Sequence, residues 1–121
     1  IIVNNGKIIG KGRNNVITNN DVTSHAEINA IKDASKNIQN YRLVNCQMYI
    51  TLEPCHMCAK AIVDSRLKSV IFSTLEPKTG CIISIDNFLD ARHLNHRVEY
   101  EYGLMQKEST DLLKSFFEKR R

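Results

Sequence analysis

The sequence predicts an α/β protein, a three-layer α/β/α sandwich built on a central mixed five-stranded sheet. Three observations predict it. Asn5-Gly6 separates two apolar runs and marks a β-hairpin, since both turn positions tolerate positive φ. Two further strand-like runs flank a segment with helical apolar spacing. A last strand-like run leads into a helical C-terminal stretch. Strands that alternate with helices bury their apolar faces best as layers.

In chain order, residues 1–4 and 7–13 form the two hairpin strands. Residues 14–22 are polar and read as a loop. Residues 24–37 carry Ile28, Ile31 and Ala34, with Ile38 just beyond, which is one helical stripe. Thr23 or Ser24 is expected to cap it. Gln47–Leu52 alternates, with Met48, Ile50 and Leu52 on one face of a strand. Residues 55–66 carry Ala59, Ile62 and Val63 and read as a helix, with Pro54 near its first turn. Residues 69–73 are a short apolar strand, 77–80 a turn, and 82–89 a short helix. Residues 97–102 alternate around Val98, Tyr100 and Tyr102. Residues 104–121 close the chain as a helix with Leu112, Leu113, Phe116 and Phe117 as its apolar face.

The chain has 121 residues, which suits one domain with one core. No apolar run approaches the roughly 18 residues of a membrane span. The start is too short for a signal peptide, so a cytoplasmic location and no membrane partner are expected. The chain starts at Ile1, so an N-terminally truncated domain is expected. A net charge of +4 permits a polyanionic partner without identifying one. Four cysteines could form two disulfides, but Cys55 and Cys58 have metal-ligand spacing.

That spacing carries chemistry. A catalytic zinc needs three protein ligands and one open position. Cys55 and Cys58 lie three apart at a helix start, so both thiols share a face. The helix N-terminus favours the thiolate form that binds metal. His25 supplies a third ligand from the start of the other helix. Glu27, two residues on, can reach a metal-activated water without ligating the metal. Zinc lowers the pKa of bound water from about 15.7 to about 7. Other readings of these residues stand beside this one. Cys-x-x-Cys is also a redox pair or half of a structural zinc site, for which His56, Cys81 or Cys46 could add a fourth ligand. Ser24-x-x-Glu27 fits a capping box. His25 could be an ordinary polar residue near a helix start.

Taken together, His25-Ala26-Glu27 and Pro54-Cys55-His56-Met57-Cys58 resemble the signature of the zinc deaminases. The resemblance extends from near Ile1 to Arg121 and is to bacterial tRNA-specific adenosine deaminases. Gly10-Lys11-Gly12-Arg13-Asn14, Asn40-Tyr41-Arg42-Leu43, Thr51-Leu52-Glu53, Pro77-Lys78-Thr79-Gly80, Asn95-His96-Arg97-Val98-Glu99 and Phe116-Phe117-Glu118-Lys119-Arg120-Arg121 carry it. It implies a cytidine-deaminase-like fold and a single zinc-dependent deaminase domain over 1–121. It implies one Zn2+ per subunit, held by His25, Cys55 and Cys58. The implied reaction converts adenosine to inosine at the wobble position of a tRNA anticodon stem-loop. Hydroxide attacks C6 of a flipped adenine, with Glu27 as proton shuttle. Asn14, Ala26 and Pro54 would then contact the flipped base, and Asn95, Arg97, Lys119, Arg120 and Arg121 the RNA. A homodimer is implied too, with the 55–66 region near its surface. The alternatives are a deaminase of free nucleobases, nucleosides or single-stranded DNA, and a non-catalytic zinc or RNA-binding module. The chain is set against the family's usual pattern on three points. Its first residues are expected to follow the family's usual N-terminal helix, it has Glu76 where Asp is usual, and it has Ile83 where Gly is usual.

Overall fold

The computed structural model describes residues 1–119. The elements are β1 (Ile2–Asn4), β2 (Lys7–Gly10), α1 (Val16–Asn19), α2 (Ala26–Ile38), β3 (Gln47–Leu52), α3 (His56–Asp64), β4 (Ser69–Thr74), β5 (Glu99–Tyr102) and α4 (Gln106–Lys119), with a 3-10 turn at Phe88–Asp90 before β5. The sheet order is β2-β1-β3-β4-β5. β1 pairs antiparallel with β2 and β3, whereas β3, β4 and β5 run parallel. The expected mixed five-stranded sandwich is the fold.

The Asn5-Gly6 hairpin forms as its sequence dictates, with φ of 50° and 76° at the turn. β3 and β4 are joined through α3, the crossover that parallel neighbours require. α2 and α3 seal the sheet. Ala30 and Ala34 from α2 and Ala59, Ile62 and Val63 from α3 join Ile2, Met48, Val70 and Phe72 in one buried cluster. Small residues on α2 let the chain pass close by. A Cβ on Gly12 would come within 2.3 Å of the Ala26 carbonyl oxygen and the Ala30 nitrogen. The loop after β2 therefore runs directly over the start of α2.

Three expectations need correction. The 14–22 loop contains the one-turn helix α1, closed by Asn20 in the left-handed conformation. Neither Thr23 nor Ser24 caps α2. Its N-cap is His25, which makes no side-chain capping bond. The buried Ser24 hydroxyl instead meets the side chains of Asn19 and Asn29, at 3.1 Å in each case. Residues 82–89 are not a helix, because the N–H groups of Ile82, Ile83 and Ser84 are taken by the Glu53 carboxylate. Only Phe88–Asp90 makes a helical turn. On the apolar face of α4, Leu112 and Phe116 are 68% and 47% exposed, and the Phe117 side chain lies outside the described residues. α4 meets the sheet through polar groups. Ser109 is buried and donates to the Thr51 carbonyl at 3.2 Å, and the hydroxyls of Thr110 and Thr74 are 3.0 Å apart.

Candidate active site

Two helix starts converge at the C-terminal end of β3. His25 is the N-cap of α2 and Cys55 the N-cap of α3, both with extended backbone. Extended geometry at an N-cap turns the side chain away from the helix axis and leaves the first N–H groups unpaired. Cys58 lies in the first turn of α3, on the same face as Cys55. His25 Nδ1 is 3.3 Å from Cys58 Sγ and 3.7 Å from Cys55 Sγ. Donor atoms of all three lie within 4.8 Å of one another. A tetrahedral zinc with bonds of 2.0–2.1 Å to nitrogen and 2.3 Å to sulfur sets N and S about 3.5 Å apart. The observed separations straddle that value.

Electrostatics agree. Cys58 is fully buried. Burial first, then the charges of Glu27 and Cys55, push its thiol up. Two thiols and a carboxylate crowded together need a cation among them before they can all be anionic. Glu27, in the first turn of α2, lies near enough for its charge to raise the Cys58 thiol, so its carboxylate borders the donor set without being part of it. The capping-box alternative does not form, since Ser24 is engaged elsewhere.

His56 is not a fourth ligand of this set. It points to Asp86, 2.8 Å away. All four cysteines are free thiols, so there is no disulfide framework.

The expected substrate residues divide into two groups. Asn14 is drawn to the site because the chain around it is pinned. The Asn15 N–H donates to the Ser24 carbonyl at 2.9 Å, and Asn29 donates to the Arg13 carbonyl at 2.9 Å. The Asn14 side chain accepts the Val16 N–H at 3.0 Å and is otherwise exposed. Ala26 opens α2 beside His25, and buried Pro54 precedes Cys55. Asn95 and Arg97 lie elsewhere. They precede β5, at the end of the sheet where β4 begins, because Glu99 pairs with Ser69. His96 Nε2 is 2.7 Å from the Leu67 carbonyl there, and Arg97 donates to the Ala91 carbonyl at 2.7 Å. Lys119 ends α4, its side chain outside the described residues, as are Arg120 and Arg121.

Glu53 is a site-shaping residue to which sequence reasoning gave no role. Its buried carboxylate accepts the N–H groups of Glu76, Ile82, Ile83 and Ser84 and the Ser84 hydroxyl. Burial alone would raise its pKa. The bonds from Ser84, Ile83 and Glu76 outweigh burial and hold the carboxyl below the usual range. The Cys81 N–H donates to the Pro54 carbonyl at 3.1 Å. Residues 76–84 are thereby held beside the Cys55 turn. Ile83 adopts an ordinary backbone with no positive φ, so the missing Gly costs nothing there.

Comparison with known proteins agrees with this geometry. A protein-family model described as MafB19-like deaminase matches residues 1–121. A tRNA-specific adenosine deaminase of Haemophilus influenzae is 48% identical over 114 residues, covering 94% of this chain and 66% of that protein. One from Aquifex aeolicus is 47% identical over 121 residues, covering 100% of this chain and 80% of that protein. A structure solved in work on A-to-I editing by tRNA:A34 deaminases at the wobble position of transfer RNA superposes with a TM-score of 0.89. It is 34% identical, and the match covers 93% of this chain and 81% of that one.

Proposed function

Because the chain belongs to the tRNA-specific adenosine deaminase family, we propose that it converts adenosine to inosine at the wobble position of a tRNA anticodon loop. The single observation that carries this is the His25–Cys55–Cys58 donor set with the Glu27 carboxylate against it.

His25, Cys55 and Cys58 would hold one Zn2+, which would supply a water activated as a nucleophile at neutral pH. The reaction consumes one water and releases ammonia. Glu27 takes the proton of the attacking water and delivers it to a ring nitrogen of adenine. It then serves the departing amino group, so one carboxylate acts first as base and then as acid. Helix N-termini at His25 and Cys55 add positive potential where negative charge develops.

The target base is flipped out of the single-stranded loop into this pocket. Asn14, the Ala26 backbone and Pro54 contact it, supported by the pinning of residues 13–15 to Ser24 and Asn29. Lys119, Arg120 and Arg121 contact phosphates. Asn95 and Arg97 lie at the far end of β4, so their part in RNA binding depends on a second copy of the chain. A homodimer is supported by exposed Met57, Ile83 and Ile85 around the start of α3. Among the described residues no helix is long and apolar enough to cross a membrane. A tRNA substrate supports a cytoplasmic location.

The test is inosine formation on an anticodon stem-loop by zinc-loaded protein. Inosine supports the reading, and its absence with zinc bound overturns it. Turnover of free cytosine, guanine or adenosine with none of RNA would favour the nucleobase alternative.

A further inference from the structure

Outside the deaminase donor set, a second group of metal-type donors meets: His56, Cys81 and Asp86. His56 opens α3. Cys81 and Asp86 flank the three residues whose N–H groups Glu53 holds. The topology thus brings a helix start and a turn without helical bonds of its own to one place.

His56 and Asp86 form a direct pair beside Cys81, within reach of one shared ion. His56 Nε2 and Asp86 Oδ2 are 2.8 Å apart, and one donor atom from each of the three residues lies within 4.8 Å of the others. A tetrahedral zinc would set nitrogen and oxygen ligands about 3.4 Å apart. The pair must therefore open by only about 0.6 Å. Both side chains are about half exposed, at 51% and 46%, so the opening needs no repacking. The Phe88 ring meets the His56 ring edge-on at 5.8 Å and holds its orientation. Cys81 is fully buried and supplies a fixed anchor from below. Imidazole, thiolate and carboxylate are each zinc ligands, and the three leave a fourth coordination position for water or for a group from a second copy of the chain.

We propose that His56, Cys81 and Asp86 form a second site for a zinc-class divalent cation, which clips the 81–90 turn to the start of α3. It shares no ligand with the His25–Cys55–Cys58 set and stands whether or not that set is catalytic. With one thiolate against two, it is the weaker of the two sites. Its role is to hold the turn that borders the pocket.

The experiment is zinc stoichiometry of the full chain after equilibrium dialysis against zinc sulfate, read by elemental analysis. Wild type is expected to bind two equivalents. Asp86→Asn and His56→Ala, both at exposed side chains, are expected to bind one. Cys58→Ala is expected to keep one equivalent, which Cys58→Ala with Asp86→Asn loses. Circular dichroism confirms that each variant is folded. One equivalent in wild type, or two persisting in both Asp86→Asn and His56→Ala, overturns the second site. A failure of the deaminase reading shows differently, as absent inosine formation with the stoichiometry unchanged.

Discussion

The Glu53 carboxylate lies 2.7 Å from the Ile83 nitrogen, with the Ile82 and Ser84 nitrogens each at 3.0 Å from the same oxygen. One buried side chain thereby replaces the carbonyl partners that a helix would have given three successive N–H groups. It does so two residues before Cys55. The loop beside the pocket and the metal-ligand turn are held by the same residue.

Glu53→Gln is therefore expected to destabilise the protein by about 2 kcal/mol or more. A hydrogen bond to a charged group contributes about 1.5–3 kcal/mol, and the amide also turns a donor towards N–H groups. Urea unfolding checks the stability. Hydrogen exchange at residues 82–84 should speed up. Unchanged exchange there would mean that the clamp is not what orders the turn.

Legibility in the sequence followed the range of the interaction. The Asn5-Gly6 hairpin and the β3–α3–β4 crossover rest on local spacing, and each formed; His25 meets Cys55 and Cys58 across 30 residues, and it was legible only as part of a two-part signature. The Glu53 clamp joins residues about 30 apart, so spacing carried no sign of it. Its one clue was a carboxylate at the end of an apolar strand, with Gly80 downstream. A Cβ on Gly80 would meet the Glu53 carboxylate at 2.3 Å. The same clamp explains why residues 82–89, apolar enough for a helix, form none. The face of α4 is a different case. Leu112 and Phe116 are four apart and make a stripe, but Ser109 and Thr110 supply the contacts to the sheet. Periodicity shows that a helix has an apolar face, not that the face is covered.

Gly12→Ala is expected to disturb the pocket from a distance. The added methyl would overlap the Ala26 and Ala30 backbone, which cannot move without shifting the start of α2. Overpacking of this kind costs about 1–3 kcal/mol. Because His25 and Glu27 sit at that helix start, deamination should fall together with thermal stability. Retention of both in the variant would show that the loop moves and α2 does not.

Tyr100 provides a probe of the far end of the sheet. Its hydroxyl donates to Asp90 Oδ2 at 2.7 Å. That bond, followed by burial and the Asp90 charge, raises its pKa above the ordinary value. A raised folded-state pKa contributes stability that is present below the unfolded value, about 10. The contribution is lost as pH rises through the folded value. In an alkaline absorbance titration, one of the four tyrosines should ionise late. Tyr100→Phe should remove that late step and no other. If the late step survives, the Asp90 bond is not its source.

Glu27 separates an enzyme from a zinc scaffold. Its carboxylate lies near Cys58 but is not among the three donor atoms, so the metal does not need it. Glu27→Ala should keep zinc at the His25–Cys55–Cys58 set and lower deamination by about 10²–10⁴-fold, the range for a positioned proton-transfer group. Glu27→Gln keeps the shape and removes the base, so it should fall as far. Cys58→Ala should lose both the metal at that set and the activity. If Glu27→Ala lost zinc as well, the carboxylate would be a ligand or a support for one. If it kept zinc and full activity, another group would be moving the proton. Elemental analysis and inosine assay on the same preparation distinguish these outcomes.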